Sequence, residues 1–125
     1  MTAVISIIDD DESVREATKN LVRSLGYTAA AFSSAEEYLQ SPQLLNSACL
    51  ITDLQMPGMS GADLQDRLAA DGLVTPVIFM TAYFDERVEK RVMDAGAFGF
   101  LSKPIDEDCL VKCVDEALKR SGAAE

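Results

Sequence analysis

Several polar side chains that could handle a divalent cation and a phosphoryl group follow short apolar segments of this sequence. Asp9 and Asp10 come directly after the apolar run Val4–Ile8, and Asp53 comes directly after Ala48–Thr52. Carboxylates are among the oxygen ligands that Mg²⁺ accepts in proteins, together with water and phosphate oxygen. Like charges at close spacing repel one another, so the acids after the first run require a positive group near them in the folded chain.

A hydroxyl and an ammonium group end two later apolar segments. Thr81 follows Val77–Met80, and Lys103 lies just after Phe98–Leu101. Both groups can donate hydrogen bonds to anionic oxygens, and the lysine adds a positive charge. The sequence therefore predicts a site that combines carboxylates, one lysine and one hydroxyl, provided that the fold brings them to the same place.

The apolar segments read as the strands that would position these side chains. Three of them, Val4–Ile8, Ala48–Thr52 and Val77–Met80, are short, rich in Ile and Val, and almost free of polar residues. That composition is typical of strands buried on both faces of a parallel sheet. Two weaker candidates, Tyr27–Phe32 and Phe98–Leu101, complete a set of five strands.

Amphipathic segments between the strands predict five helices. They cover about residues 14–25, 34–40, 60–71, 85–95 and 106–120, and Ser34-Ala35-Glu36-Glu37 has the form of a capping box. Strict alternation with right-handed crossovers predicts an α/β doubly wound sheet, flavodoxin-like, with strand order 2-1-3-4-5. Strands 1 and 3 are neighbours in that order, so their acids meet in one crevice. We expect one domain over residues 1–120 and a frayed C-terminal tail at 121–125.

Composition narrows the class of protein. The 125 residues carry a net charge of −10, contain no histidine, and are 48% hydrophobic. Such an acidic chain argues against direct nucleic-acid binding and against anionic membranes. The three cysteines, Cys49, Cys109 and Cys113, lack CxxC spacing and read as free thiols that act as small hydrophobic residues. With no evident signal peptide and no membrane-spanning run, we expect a cytoplasmic protein.

Four motifs together resemble the receiver domain of two-component response regulators, the CheY-like superfamily, over essentially the whole chain. The motifs are Asp9-Asp10, the loop Asp53-Leu54-Gln55-Met56-Pro57-Gly58 with Ser60-Gly61, Thr81-Ala82, and Lys103-Pro104. Each motif alone is weak, but their order and their placement after strands make the combination specific. The MPGMSG and DDDESVR segments are most similar to the FixJ-like branch.

The resemblance implies a role for each residue of the acid site. Asp53 would accept a phosphoryl group from a phosphohistidine on a sensor histidine kinase or phosphotransfer protein. Asp10 would bind Mg²⁺ directly, Asp9 would act indirectly, and Asp53 with the backbone carbonyl of Gln55 would complete the protein ligands. Lys103 would pair with the phosphoryl oxygens. The product is a phosphorylated switch, so the chain would not be an enzyme with an external product.

The resemblance also implies residues that transmit and tune the signal. Thr81 would bind a phosphoryl oxygen and change the rotamer of Phe100, which reshapes the surface of the fourth helix, fifth strand and fifth helix, where a phosphorylation-dependent homodimer would form. Gln55 and Tyr83 would flank the path of the water that hydrolyses the aspartyl phosphate. The peptide bond before Pro104 would be cis.

Structural roles compete with these functional ones at several positions. The acids of residues 9–12 could cap a helix and favour its first turn, which is our interpretation of Asp11 and Glu12. Asp53 could be a turn residue that ends its strand. Thr81 could be an ordinary strand residue, Phe100 an ordinary core aromatic, and Tyr83 a surface aromatic over the fourth helix.

In the homodimer that the resemblance implies, basic residues of the fourth helix could meet acids of a partner copy, namely Arg87, Lys90 and Arg91 against Asp106, Glu107 or Asp115.

Other functions fit the sequence less well. A Mg²⁺-dependent phosphatase with an Asp nucleophile is the alternative to a receiver, but it requires a second Asp where this chain has Gln55. A flavodoxin-like cofactor binder would need a phosphate loop after the first strand, and a GTPase would need GxxxxGK[ST]. An EF-hand fails on spacing. A purely structural interaction domain would leave the convergence of acids, Thr81 and Lys103 unexplained.

Overall fold

Five parallel strands form a single sheet, and the computed structural model describes residues 3–121 of the chain. The order is β2-β1-β3-β4-β5, which confirms the predicted α/β fold class. Each predicted strand end lies within one residue of the observed end. The strands are β1 (Val4–Ile8), β2 (Thr28–Phe32), β3 (Ser47–Asp53), β4 (Val77–Thr81) and β5 (Gly99–Ser102).

Helices connect all of the strands, and the described residues contain six of them instead of the predicted five. The additional helix is one turn long and follows Pro42, whose φ of −58° suits a helix start, while the Ser41 hydroxyl accepts a hydrogen bond from the Gln43 N–H. The predicted fourth and fifth helices are therefore α5 and α6. The helices are α1 (Glu12–Ser24), α2 (Ala35–Leu39), α3 (Gln43–Asn46), α4 (Gly61–Ala70), α5 (Glu86–Asp94) and α6 (Glu107–Ser121).

Side-chain caps begin the helices that flank the sheet's carboxyl edge. At α4 the Ser60 hydroxyl accepts from the Asp63 N–H and the Asp63 carboxylate accepts from the Ser60 N–H, which is a complete capping box. At α2 only half of the expected box forms, because Ser34 accepts from the Glu37 N–H but the Glu37 carboxylate accepts from the Ser33 N–H. The caps set where each helix leaves the sheet edge.

Both faces of the sheet are covered by apolar side chains. One face packs against α1 and α6 and contains Ile7 and Ile51, while the other packs against α2, α4 and α5 and contains Ile8 and Phe79. These four side chains are fully buried. Each such burial contributes roughly 1.5–3 kcal/mol to folding, so the central strands are held firmly under the acid-bearing edge.

Helix α5 is attached to α4 at its carboxyl-terminal end. The Gln65 amide nitrogen, in a side chain that is almost fully buried, donates to the Val92 carbonyl at 3.0 Å. On the surface beside it, Arg91 pairs with Asp66 at 3.3 Å. The opposite end of α5 begins at Asp85, which caps it locally through the Arg87 N–H.

The chain ends beyond the described region. Helix α6 runs to Ser121, and residues 122–125 of the tail expected to be frayed lie outside the described residues. The domain limits at 1–120 remain a prediction. Within residues 3–121, every helix is too short or too polar to cross a membrane.

Candidate functional site

Three acids meet at the carboxyl edge of the sheet. Asp53 is the last residue of β3, Asp9 and Asp10 follow β1, and these two strands are hydrogen-bonded neighbours. One carboxylate oxygen from each acid lies within 4.8 Å of the others. Asp9 is fully buried and Asp53 nearly so, whereas Asp10 is exposed. The strand order thus produces the acid cluster that the sequence predicts.

Lys103 supplies the positive charge that this cluster requires. Its ammonium group donates to Asp9 Oδ2 at 2.9 Å and lies 3.4 Å from Asp53 Oδ2. The Lys103 side chain is 16% exposed, so water screens these pairs only weakly. The backbone N–H of Lys103 donates to the Thr81 carbonyl at 2.7 Å, and the peptide bond between Lys103 and Pro104 is cis.

Burial and charge oppose each other at Asp53. Burial raises the pKa of the Asp53 carboxyl; the Lys103 charge lowers it, the Asp9 charge raises it again, and a Gln55 N–H lowers it, with a net increase. At Lys103, burial lowers the pKa of the ammonium group, but the hydrogen bond to Asp9 and the charge of Asp53 raise it more, with a net increase. The Lys103 charge lowers the Asp53 pKa, but burial and the Asp9 charge together raise it more. Additional positive charge nearby would therefore stabilise the ionised Asp53 carboxylate.

The loop between β1 and α1 separates the roles of its acids. Asp9 Oδ1 accepts from the Asp11 N–H at 2.9 Å, and the Asp11 carboxylate caps α1 through two backbone N–H groups. Glu12 lies in the first turn of α1, so the structural interpretation of Asp11 and Glu12 is confirmed. Asp10, by contrast, has its side chain at the open mouth of the crevice.

Sequence reasoning missed Arg15, a residue of α1 that supports this loop. Its guanidinium donates to the Asp9 carbonyl at 2.8 Å from the second turn of α1. A basic residue about one turn into a helix that follows an acidic loop is the signal that could have found it. Arg15 holds the backbone from which Asp10 projects.

Thr81 lies at the end of β4 and is 1% exposed. Its hydroxyl donates to the Tyr83 carbonyl and accepts from the Tyr83 N–H, both at 3.1 Å. The Tyr83 side chain is 74% exposed, so its backbone and not its ring contacts Thr81. The structure brings Thr81 to the crevice edge but leaves the Tyr83 ring on the surface. The Gln55 side chain, after β3, is also exposed.

Phe100 is half-buried on β5 and contacts Phe84 edge to face, with ring centroids 5.9 Å apart and planes at 78°. Phe84 is 52% exposed and lies three residues after Thr81. Sequence reasoning missed Phe84; the adjacent aromatics Tyr83-Phe84 in the short loop between Thr81 and Asp85 are the signal for it. The contact connects the loop after Thr81 to the aromatic residue expected to change rotamer.

The three cysteines lie away from this site and are free. Cys49 is buried in β3, and burial raises the pKa of its thiol to about 12, so it behaves as a small hydrophobic residue. Cys113 is half-buried, but Cys109 is exposed on α6, so the expectation of a small packed residue fails there.

The donor set suits a small divalent cation. Clustered carboxylate oxygens are hard ligands, and the exposed Asp10 leaves one side of the cluster open to water. Asp10 and Asp53 can hold such an ion directly. Asp9 already accepts from Lys103 and the Asp11 N–H, which suits an indirect role.

The five-stranded parallel sheet and the acid cluster at its edge define the class of protein to which this chain belongs, and comparison with known proteins gives the same class. A family model described as the response regulator receiver domain matches residues 5–115. The chain belongs to this family.

Relatives within the family include regulators of the FixJ type, as the loop motifs predict. The response regulator protein TmoT of Ectopseudomonas mendocina is 42% identical over 94% of this chain and 53% of its own length. The transcriptional regulatory protein FixJ of Azorhizobium caulinodans is 37% identical over 94% of this chain and 56% of its own length. The crystal structure of FixJ-N superposes with a TM-score of 0.85 at 30% identity, covering 95% of each chain. This chain spans about half the length of TmoT and FixJ.

Removing the Lys103 charge tests the electrostatic balance. We expect Lys103→Met to lower the free energy of unfolding by about 3 kcal/mol, because Asp9 and Asp53 stay buried without their cation. Urea denaturation at neutral pH without divalent cations measures the change.

Two further variants provide comparisons for the loss of stability in Lys103→Met. Lys119→Met breaks an exposed pair with Asp115 and should cost less than about 0.5 kcal/mol. Asp10→Asn should raise stability, since it removes one of the repelling charges. Equal losses in the two lysine variants would show that Lys103 does not hold the acids together.

Proposed function

We propose that this chain is a phosphorylation-dependent signalling switch in a two-component phosphorelay. It takes a phosphoryl group from a sensor histidine kinase or phosphotransfer protein onto Asp53, with Mg²⁺ as cofactor. The observation that carries the proposal is the position of Asp53 within the crevice, close to two further acids and to the Lys103 ammonium. Family membership supports the same role and implies a cognate kinase.

Phosphoryl transfer to Asp53 is a nucleophilic displacement. One carboxylate oxygen forms a bond to phosphorus while the bond from phosphorus to the donor histidine nitrogen breaks, and the electron pair of that bond leaves with the imidazole. Lys103 pairs with the phosphoryl oxygens as they arrive. Asp10, Asp53 and the Gln55 carbonyl would hold Mg²⁺, with Asp9 acting indirectly; the ion would offset the negative charge of acids and phosphoryl group.

The switch that follows transfer begins at Thr81. Its hydroxyl exchanges its two hydrogen bonds with Tyr83 for one to a phosphoryl oxygen, which frees the loop before α5 to move toward the site. Phe84 moves with that loop and leaves the edge of Phe100, which then turns inward. The surface formed by α5, β5 and α6 changes as a result.

The nucleophile is tested by Asp53→Asn. We expect the variant to fold and to form no covalent adduct, because an amide cannot become an acyl phosphate. Incubation with Mg²⁺ and acetyl phosphate, followed by intact mass measurement, reports the adduct, and Asp71→Asn on the surface is the matched control. An adduct on Asp53→Asn at the parent's rate would refute the assignment, and steady phosphate release without any adduct would indicate the alternative phosphatase.

The output surface is tested by self-association. Arg87 is 95% exposed and pairs with Asp85 of its own chain only at 3.8 Å, whereas Lys90 and Arg91 pair with their own acids at 2.9 and 3.3 Å, so Arg87 is the most available of the three to a partner copy's α6 acids. With a beryllofluoride phosphoryl mimic we expect a dimer by sedimentation, and Arg87→Glu should weaken it at least about tenfold through like-charge repulsion. Arg67→Glu on α4 should leave it intact. A mimic-bound protein of unchanged mass and surface exposure would rule out this output.

The lifetime of the phosphorylated form depends on the residues that flank the water path. We propose that the Tyr83 ring swings over the phosphoryl group when the loop moves, and that Gln55 orients the attacking water. Tyr83→Ala should then shorten the half-life about tenfold, equal to about 1.4 kcal/mol of barrier, and Gln55→Ala should lengthen or preserve it. Decay of radiolabelled adduct after donor removal measures both. Unchanged or slower decay in Tyr83→Ala would return Tyr83 to a surface role.

A further inference from the structure

The loop between β3 and α4 carries Gln55, and a side chain from α2 reaches into it. At its ends the loop is fixed by backbone bonds, from the Leu54 N–H to a β4 carbonyl at 2.9 Å and from the Gly61 N–H to the Leu54 carbonyl at 2.8 Å. Between these ends, the Met59 N–H donates to Glu36 Oε2 at 3.0 Å. Glu36 therefore connects the loop to a helix 23 residues away in sequence.

Gly58 lets the Glu36 carboxylate approach the loop. Its φ is +77°, a conformation that side-chain-bearing residues rarely adopt, and a methyl group there would lie 2.6 Å from Glu36 Oε2. Any larger residue at position 58 would push the carboxylate away from the Met59 N–H. Gly58 thus leaves space for the Glu36 carboxylate, and the Met59 N–H donates a hydrogen bond to it.

A simpler role for Glu36 is that of an acid in the first turn of α2, where negative charge is favourable. Glu37 has that role too, but its carboxylate accepts from the Ser33 N–H and does not reach the loop. The two neighbours carry the same charge on the same turn and each accepts one backbone hydrogen bond. They differ in the N–H group that they bind, which belongs to Met59 for Glu36 and to Ser33 for Glu37, and Glu37 is therefore a matched control.

We infer that Glu36 is a positioning residue for the phosphorylation site. By holding Met59, it keeps the loop in the conformation that presents the Gln55 carbonyl to a divalent cation, and it thereby raises the affinity of the site for Mg²⁺. The inference rests on the proposed function for the role of Gln55. It assigns Glu36 no contact with the cation or the phosphoryl group.

The affinity for Mg²⁺ is the quantity that separates Glu36 from Glu37. One solvent-exposed hydrogen bond is worth about 1 kcal/mol, so Glu36→Ala should raise the Mg²⁺ concentration for half-maximal effect about fivefold. Mg²⁺ titrations followed by thermal melting and by the rate of reaction with acetyl phosphate both measure it. The rate at saturating Mg²⁺ should stay within about twofold of the parent, and Glu37→Ala should leave the half-maximal concentration unchanged.

Two further variants show whether the contact itself is responsible. Glu36→Gln keeps an acceptor oxygen and should restore most of the Mg²⁺ affinity. Gly58→Ala keeps the charge but displaces the carboxylate, and should weaken Mg²⁺ binding at least as much as Glu36→Ala does. Equal effects of Glu36→Ala and Glu37→Ala, or no recovery in Glu36→Gln, would overturn the inference.

Amide hydrogen exchange at Met59 distinguishes this inference from the proposed function. Exchange should be about fivefold faster in Glu36→Ala than in Glu37→Ala, because only the first frees that N–H. This readout does not depend on phosphoryl transfer. Equal exchange in the two variants would overturn the positioning role, whereas a parent protein that takes no phosphoryl group would overturn the proposed function instead.

Discussion

Repulsion among the three carboxylates at the edge of the sheet is the constraint on which the rest of the site depends. Two unit charges 4 Å apart interact by about 4 kcal/mol at an effective dielectric of 20, which is a large part of the 5–15 kcal/mol that stabilises a typical domain. Asp9 is fully buried, so water cannot relieve it. Lys103, 94 residues away in sequence, is the cation that makes the arrangement tolerable, and a divalent ion would complete the compensation.

The parallel sheet makes this convergence possible. All strands of a parallel sheet end at the same edge, and the order β2-β1-β3-β4-β5 places β1 beside β3. Asp9 and Asp53 therefore reach each other without any unusual backbone conformation, and Lys103 arrives from the strand farthest along the same edge. The apolar side chains of these strands are buried on both faces, so the edge is a firm base for charged groups that would otherwise move apart.

The parts of this arrangement that follow from strand position were predictable from sequence. A buried strand is recognised by its composition, and the residue after it must lie at the edge, which places Asp53 and Lys103. Contacts that depend on side-chain conformation between distant elements were not predictable: the sequence marks Phe84 as one of two adjacent aromatics, but neither its contact with Phe100 nor that of Glu36 with Met59 can be read from it. The one-turn helix α3 was also missed, because four residues are too few to show a helical period.

The attachment of α5 at one end determines how it can move. Its carboxyl-terminal turn is joined to α4 through the Val92 carbonyl, and its amino-terminal turn follows the loop that contacts Thr81. If the loop shifts as proposed, α5 would turn about Val92 as a pivot. Arg87 lies five residues before Val92, about 7.5 Å along the axis at 1.5 Å per residue. A rotation of about 15° would then carry the Arg87 backbone roughly 2 Å sideways while leaving the neighbourhood of Val92 in place.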